Sequence, residues 1–221
     1  MKREGGTYFV TFRLKGCLPA EALQKFKAER EAIIQKAVAG RRPLTWHEQQ
    51  EVFRWYSSRV DAYLDAGHGE AFLCENHIAP IVASAIRFHE NARFKLLAWA
   101  LMPNHVHVVV QPFAGWTLSQ ILKSWKGFTA RKINEILRRE GALWQSESYD
   151  HLIRDDEDMA RCCRYVVENP VQAGLCKQAE EWAWSNAAVV AQVSRPAGSP
   201  NFPVRRSSCP RPELYRSQRR G

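Results

Sequence analysis

No apolar run in this chain approaches the roughly 18 residues of a membrane-spanning helix; the longest candidates, such as LLAWALMP, are strand-sized. The opening stretch also lacks the form of a secretory leader, since Arg13 and Lys15 break the apolar character of Tyr8 to Leu14. A cytoplasmic protein is expected. None of the six cysteines (positions 17, 74, 162, 163, 176 and 209) stands in a CxxC pair, which argues against a zinc ribbon and against a disulfide framework. They read as small buried residues or surface thiols. No internal repeat is found.

Acidic residues are scarce as well: 23 Asp and Glu against 32 Lys and Arg leave a formal charge of +9. Such an excess favours a polyanionic partner, either nucleic acid or a membrane surface. The imbalance is sharpest in residues 195–221, where seven arginines, among them Arg205 and Arg206, face the single acid Glu213, a surplus of six positive charges. That segment is too poor in apolar residues to fold alone and reads as a basic, flexible tail, either merely solvated or a grip for phosphates.

What is present suffices for a core. With 221 residues, 45% of them hydrophobic, and eight tryptophans, the chain is read as one domain over 1–194, with a helical insertion around 42–76 and the tail behind it. TYFVTFRL alternates Tyr8, Val10, Phe12 and Leu14 against Thr7, Phe9, Thr11 and Arg13, the period of a strand. Helices are expected from Pro19 to about Ala39, from Trp46 to about Leu64 behind a Thr45–Glu48 capping box, with a break at Gly67–Gly69, and from Ala79 to about His89. Two strands, about Lys95–Leu101 and Val106–Gln111, join through Met102-Pro103-Asn104, which is turn chemistry. Thr117 and Gln120 cap a helix to about Arg139 with Leu118, Ile121, Leu122, Trp125, Ile133, Ile136 and Leu137 as its apolar stripe. A short strand near Asp150–Arg154 precedes a helix from Asp155 or Asp156 to about Glu168, with Asn169-Pro170 as its stop. Strands interleaved with helices imply an α+β sandwich: a small antiparallel sheet with helices packed on it.

The chemistry concentrates in MPNHVHVVVQP, residues 102–112. Side chains at i and i+2 of a strand leave the same face about 7 Å apart, so His105 and His107 can converge on one ion while Val106, Val108 and Val110 enter the core. Two imidazoles leave coordination positions open, which is a catalytic rather than a closed structural arrangement. The other reading is of two histidines with no special task. Tyr165 and Asn169 lie four residues apart and so share a helical face; a tyrosine there also serves as ordinary packing.

Three segments, LLAWALMPNHVHVVVQP, GALWQSESYDHLIRD and RYVVENPVQAGL, in this order and with a basic helix between the first two, resemble the REP-associated tyrosine transposases, within the single-tyrosine HUH nucleases. TYFVTFRLKG resembles the first strand of that family, and the likeness covers roughly residues 7–190. It implies a ferredoxin-like antiparallel sheet with packed helices, the HUH nuclease fold, with the histidines on a central strand and the tyrosine on a helix. Residue by residue, His105 and His107 match the HUH pair, Tyr165 the nucleophile, and Asn169 the helix position that helps to bind the metal; Glu168 is the competing ligand, since a carboxylate suits a hard ion. The resemblance implies Mg2+ or Mn2+, although histidine ligation also tolerates zinc.

The activity so implied is metal-dependent cleavage and rejoining of single-stranded or hairpin, REP-type palindromic DNA through a 5′-phosphotyrosine. The alternative is a catalytically inactive, domesticated protein that binds DNA hairpins. A phosphoesterase of the paired HxT type would need a second such motif, and none occurs. The partner is then DNA rather than a membrane, the location cytoplasmic and nucleoid-associated, and the protein a monomer or homodimer whose site is completed within or between subunits. DNA contacts are expected from Lys123, Lys126, Phe128, Arg131, Lys132, Arg138 and Arg139 on the basic helix and from Arg205 and Arg206 in the tail: cations neutralise phosphates and aromatic faces stack on unpaired bases. Trp125, within the apolar stripe, and Trp144 also read as core. His151 reads as structural or supporting, and Tyr149 is the rival nucleophile.

Overall fold

The structure, a computed structural model, describes residues 5–38, 45–66 and 69–193. The tail at 195–221, with Arg205 and Arg206, lies outside the described residues, as does most of the expected Gly67–Gly69 break. The chain divides into two compact units, one formed by residues 1–15 with 71–221 and the other by 16–70.

In the smaller unit, α1 (Ala20–Val38) packs on α2 (Trp46–Asp65). The Thr45–Glu48 capping box forms as the sequence predicts: Thr45 Oγ1 accepts from the Glu48 amide while the Glu48 carboxylate accepts from the Thr45 amide. Gly69 is required near the end of this unit. Its φ is +80°, and a Cβ there would sit 2.8 Å from the Cys17 Cα.

The larger unit holds β1 (Thr7–Arg13), α3 (Ala79–Arg87), β2 (Phe94–Leu101), β3 (His105–Pro112), α4 (Leu118–Leu137), β4 (Tyr149–Ile153), α5 (Asp156–Gln172) and α6 (Ala187–Val193). The sheet order is β2-β3-β1-β4, every pair antiparallel. With helices between β1 and β2 and between β3 and β4, this is the ferredoxin-like α+β fold that the family resemblance implies. Registers place Phe9 opposite Val109 and His151, Thr11 opposite His107 and Tyr149, and Arg13 opposite His105.

Period-two alternation then sorts the side chains between two faces. Phe12 meets Trp125 of α4 at 6.3 Å between ring centres, and Phe94 meets the same indole edge-on at 5.2 Å. Phe9 and His107, from the opposite face, meet Tyr165 of α5. The sheet therefore separates α4 from α5. Trp125 is 2% exposed, so Trp125→Ala is expected to cost about 3–5 kcal/mol of unfolding free energy. Urea denaturation checks this, and a loss below about 1 kcal/mol would contradict the core role.

Several expectations need correction. Helix α5 does not stop at Glu168 but runs through Pro170 to Gln172. Proline removes one donor and disfavours a helical residue before it, yet it stands in the last turn, is itself buried, and is followed by amides of Ala173 and Leu175 that bond back to Asn169 and Pro170. Helix α4 ends at Leu137 rather than Arg139, because Arg138 turns into the left-handed region at φ 48°. Ile136 does not belong to the apolar stripe: it is 45% exposed. The residues after α5 supply something the sequence pattern did not announce. They cover the β2 edge, with Leu101 N donating to the Trp184 carbonyl (2.8 Å), Trp182 Nε1 to the Leu101 carbonyl (3.0 Å) and Trp99 N to Asn186 Oδ1 (2.8 Å), which closes an otherwise open row of strand groups.

Candidate functional site

His105 and His107 begin β3 and both are fully buried. Both faces of this strand are covered, so the histidines sit beneath α5 rather than on the surface. Their Nε2 atoms lie 2.9 Å apart. Each ring is held from behind. His105 Nδ1 is 2.7 Å from Asn104 Oδ1, which can only accept, so Nδ1 carries the hydrogen and Nε2 keeps its lone pair. His107 Nδ1 is 2.8 Å from Thr11 Oγ1, a hydroxyl that can donate or accept. It thereby allows His107 Nε2 either to donate to His105 or to present a lone pair beside it.

Burial holds both imidazoles neutral. The His105 pKa falls well below its usual value through burial and then the charges of His107 and Arg13. Burial takes His107 to about 3, against a smaller upward pull from the Asn169 side chain. Neutral imidazole is the ligating form, so protons do not compete for these nitrogens at neutral pH.

Helix α5 brings up the remaining groups. Asp158, Cys162, Val166 and Asn169 recur at helical spacing on its buried side, with Tyr165 half-buried beside them. The Tyr165 ring centre is 5.8 Å from that of His107 and 5.7 Å from that of Phe9, edge-on to both. Asn169 is 2% exposed, and its buried Oδ1 makes no hydrogen bond of good geometry to any described residue. Glu168, the competing ligand by charge, points to solvent. Because α5 continues through Pro170, Asn169 stays on the Tyr165 face.

Beside this cluster His151 of β4 pairs with Asp158, Nε2 to Oδ2 at 3.0 Å, and Arg161 bonds the other carboxylate oxygen. The structural reading of His151 agrees with this pairing. Burial pushes the Asp158 carboxyl up, but the His151 hydrogen bond and the charges of His151 and Arg161 outweigh it, leaving a pKa of about 2. Since the folded value lies below the usual 3.8, the stabilisation is complete above about pH 4 and lost as pH falls toward 2. Asp158→Asn is expected to lower unfolding free energy by about 3 kcal/mol at neutral pH. The gap from the parent should narrow through that acid window; urea titrations at several pH values check both parts, and a gap independent of pH would refute the charge argument.

The expected DNA contacts fall elsewhere in the larger unit. Lys123, Arg131 and Lys132 are exposed on α4 and Arg138 just past its end, Phe128 is 42% exposed, and Arg139 is half-buried with its guanidinium 5.7 Å from the Phe72 ring centre. Lys132 pairs with Glu135 at 3.2 Å. Lys126 is committed within the protein: its Nζ donates to the Gln145 and Ser146 carbonyls at 2.8 and 3.2 Å, and burial, then the Arg13 charge, lowers its pKa to about 8. Trp144 is core, its Nε1 donating to Thr129 Oγ1 at 2.8 Å. Tyr149 meets Phe9 edge-on at 6.5 Å. The α4 residues thus do not join the histidine cluster, which lies across the sheet.

Sequence reasoning missed the supports Thr11 and Asn104. Asn104 is adjacent to the motif, and Thr11 is a polar interruption in an apolar strand; that polarity was the available signal.

Residues 73–169 match the family model described as "Transposase IS200 like". A provisionally named REP-associated tyrosine transposase of Haemophilus influenzae is 28% identical over 107 residues, 44% of this chain and 61% of that protein. The REP-associated tyrosine transposase of Escherichia coli is 25% identical over 104 residues, 45% of this chain and 58% of its own length. The chain thus spans about three fifths of these curated relatives. A solved structure of a REP-associated tyrosine transposase bound to a REP hairpin aligns with 92% of this chain and 93% of its own, at 19% identity and a TM-score of 0.49. The stretch that matches the IS200-like transposase model, residues 73–169, holds His105, His107, Tyr165 and Asn169.

Proposed function

We propose that this protein is a metal-dependent transposase that cleaves and rejoins single-stranded or hairpin DNA of palindromic, REP-type sequence through Tyr165. The observation that carries the reading is the tyrosine on α5 set edge-on to His107, whose Nε2 lies 2.9 Å from that of His105. The family match and the names of the two curated relatives point the same way.

The residues fit a divalent cation. Two buried nitrogens converge, both rings are oriented from behind as metal-binding histidines are, and the Asn169 amide oxygen is a buried acceptor without a good donor. His105, His107 and Asn169 would hold Mg2+ or Mn2+, with Asn169 rather than Glu168 as the oxygen ligand. Polarisation of a phosphate oxygen and alignment of the scissile bond are what such an ion supplies when bound.

The protein's own part is nucleophilic. Tyr165 Oη attacks phosphorus in line, the phenolic proton is released, and the P–O3′ bond breaks to leave a 3′-hydroxyl and a 5′-phosphotyrosine. The new ester conserves the bond energy. Attack by another 3′-hydroxyl reverses the step, joins strands and frees the tyrosine, so strand transfer needs no nucleotide triphosphate. Phosphate contacts from Lys123, Arg131, Lys132 and Arg138, stacking on Phe128, and the arginines of the tail, Arg205 and Arg206 included, would hold flanking DNA.

Incubating the full chain with single-stranded hairpin DNA and Mg2+ or Mn2+ tests the reading. A protein-linked 5′ fragment, mapped by peptide mass to Tyr165, is the expected product. Tight hairpin binding with no linked fragment under either metal would favour the domesticated hairpin-binding protein instead.

A further inference from the structure

The chemistry above assigns no task to the buried side chain of Arg13. Arg13 ends β1 opposite His105 in the register, on the face that carries Thr11 and the histidines, and it is 3% exposed. Its Nε and Nη2 are buried and donate to no acceptor among the described residues. The charge is felt on both sides: after burial it contributes to the lowered pKa values of His105 and Lys126.

A guanidinium keeps its charge at any pH a protein meets. Burying one with unused donors is strongly destabilising unless an anion completes it. The two unused atoms share one edge of the group. Nε–H and an Nη2–H run parallel there and match two oxygens of a phosphate or carboxylate. The strand also has no need of arginine for its ladder, which is made by backbone groups: the Arg13 carbonyl already accepts from Gln145 N at 2.9 Å.

We propose that the Nε–Nη2 edge of Arg13 binds the non-bridging oxygens of a DNA phosphodiester laid against the His105–His107 pair. This rests on the reading of that pair as the place where DNA is cut. Arg13 then holds the scissile phosphate or its immediate neighbour, and it opposes the negative charge that builds on the equatorial oxygens as Tyr165 attacks. In the absence of DNA the Nε–Nη2 edge has no acceptor among the described residues, so the arginine serves binding at the expense of the free protein's stability.

The test uses the full chain, inorganic phosphate as probe, and two variants, Arg13→Met and Arg13→Lys. The parent should show a saturable rise in melting temperature with phosphate. Arg13→Met should melt higher than the parent in phosphate-free buffer, lose that saturable rise, and form the covalent hairpin adduct about 100-fold more slowly, with hairpin affinity reduced less than about tenfold. Arg13→Lys keeps the charge without the fork and should fall between the two. The proposal is overturned if the parent lacks the phosphate response, if Arg13→Met retains it or forms adduct at the parental rate, or if Arg13→Met is less stable than the parent or fails to fold, since the guanidinium would then be structural. A parent that responds to phosphate through Arg13 yet makes no adduct would remove the cleavage reading and leave the anion site standing.

Discussion

Replacement of Tyr165 by phenylalanine is expected to eliminate the covalent protein–DNA adduct while leaving hairpin affinity within about fivefold of the parent. The first effect is large because the phenolic oxygen is the proposed nucleophile, and removing a covalent nucleophile costs on the order of 10⁴ to 10⁶ in rate. The second is small because the deleted hydroxyl amounts to about one hydrogen bond, whereas affinity for DNA is dominated by phosphate contacts spread over the surface. The fold is not in question, since the ring that packs edge-on against His107 and Phe9 is retained. Denaturing gel electrophoresis of labelled hairpin reports the adduct, and titration of the same hairpin reports affinity. An adduct that persisted in Tyr165→Phe would transfer the nucleophile to another residue, with Tyr149 first to be examined. Equal loss of adduct and of binding would show instead that the tyrosine holds DNA rather than attacking it.

Loss of the histidine pair should have the next largest effect. His105→Ala combined with His107→Ala is expected to lower adduct formation by about 10³-fold or more, equivalent to about 4 kcal/mol of transition-state stabilisation. The parent should lose activity to a similar extent when EDTA removes the divalent ion, and the double variant should lose nothing further. That non-additivity separates ligand loss from general damage. Some damage is also expected: the variant leaves cavities and strips Thr11 Oγ1 and Asn104 Oδ1 of partners they hold at 2.8 and 2.7 Å, so a lower melting temperature belongs to the same outcome. Calorimetric titration with Mn2+ supplies the direct readout. Parent and double variant binding Mn2+ alike, or a double variant still inhibited by EDTA, would place the metal elsewhere.

These expectations draw on two kinds of information. The existence of β1, of the β2–β3 pair and of α4, and the capping boxes at Thr45 and Thr117, follow from side-chain periods and from hydrogen bonds that close within four residues. His105 and His107 are visible because two residues in a strand share a face whatever surrounds it, and Tyr165 and Asn169 because four residues make about one helical turn. Local rules failed where a distant contact outweighed a local preference. Pro170 reads as a stop, yet the buried last turn of α5 carries the helix past it, and Ile136 fits an apolar period while standing in solvent.

The sequence by itself determined which residues could do chemistry and on what kind of element each would lie, because those constraints are local in the chain. Only the tertiary structure decided that β1 lies between β3 and β4, and with that the pairing of Thr11 with His107 and of Arg13 with His105, 96 residues apart in the first case. It also decided that α5 covers the histidine face while α4 takes the other. Strand register and helix placement are settled by which apolar surfaces can be buried together, a sum over the whole core that no short stretch of sequence contains.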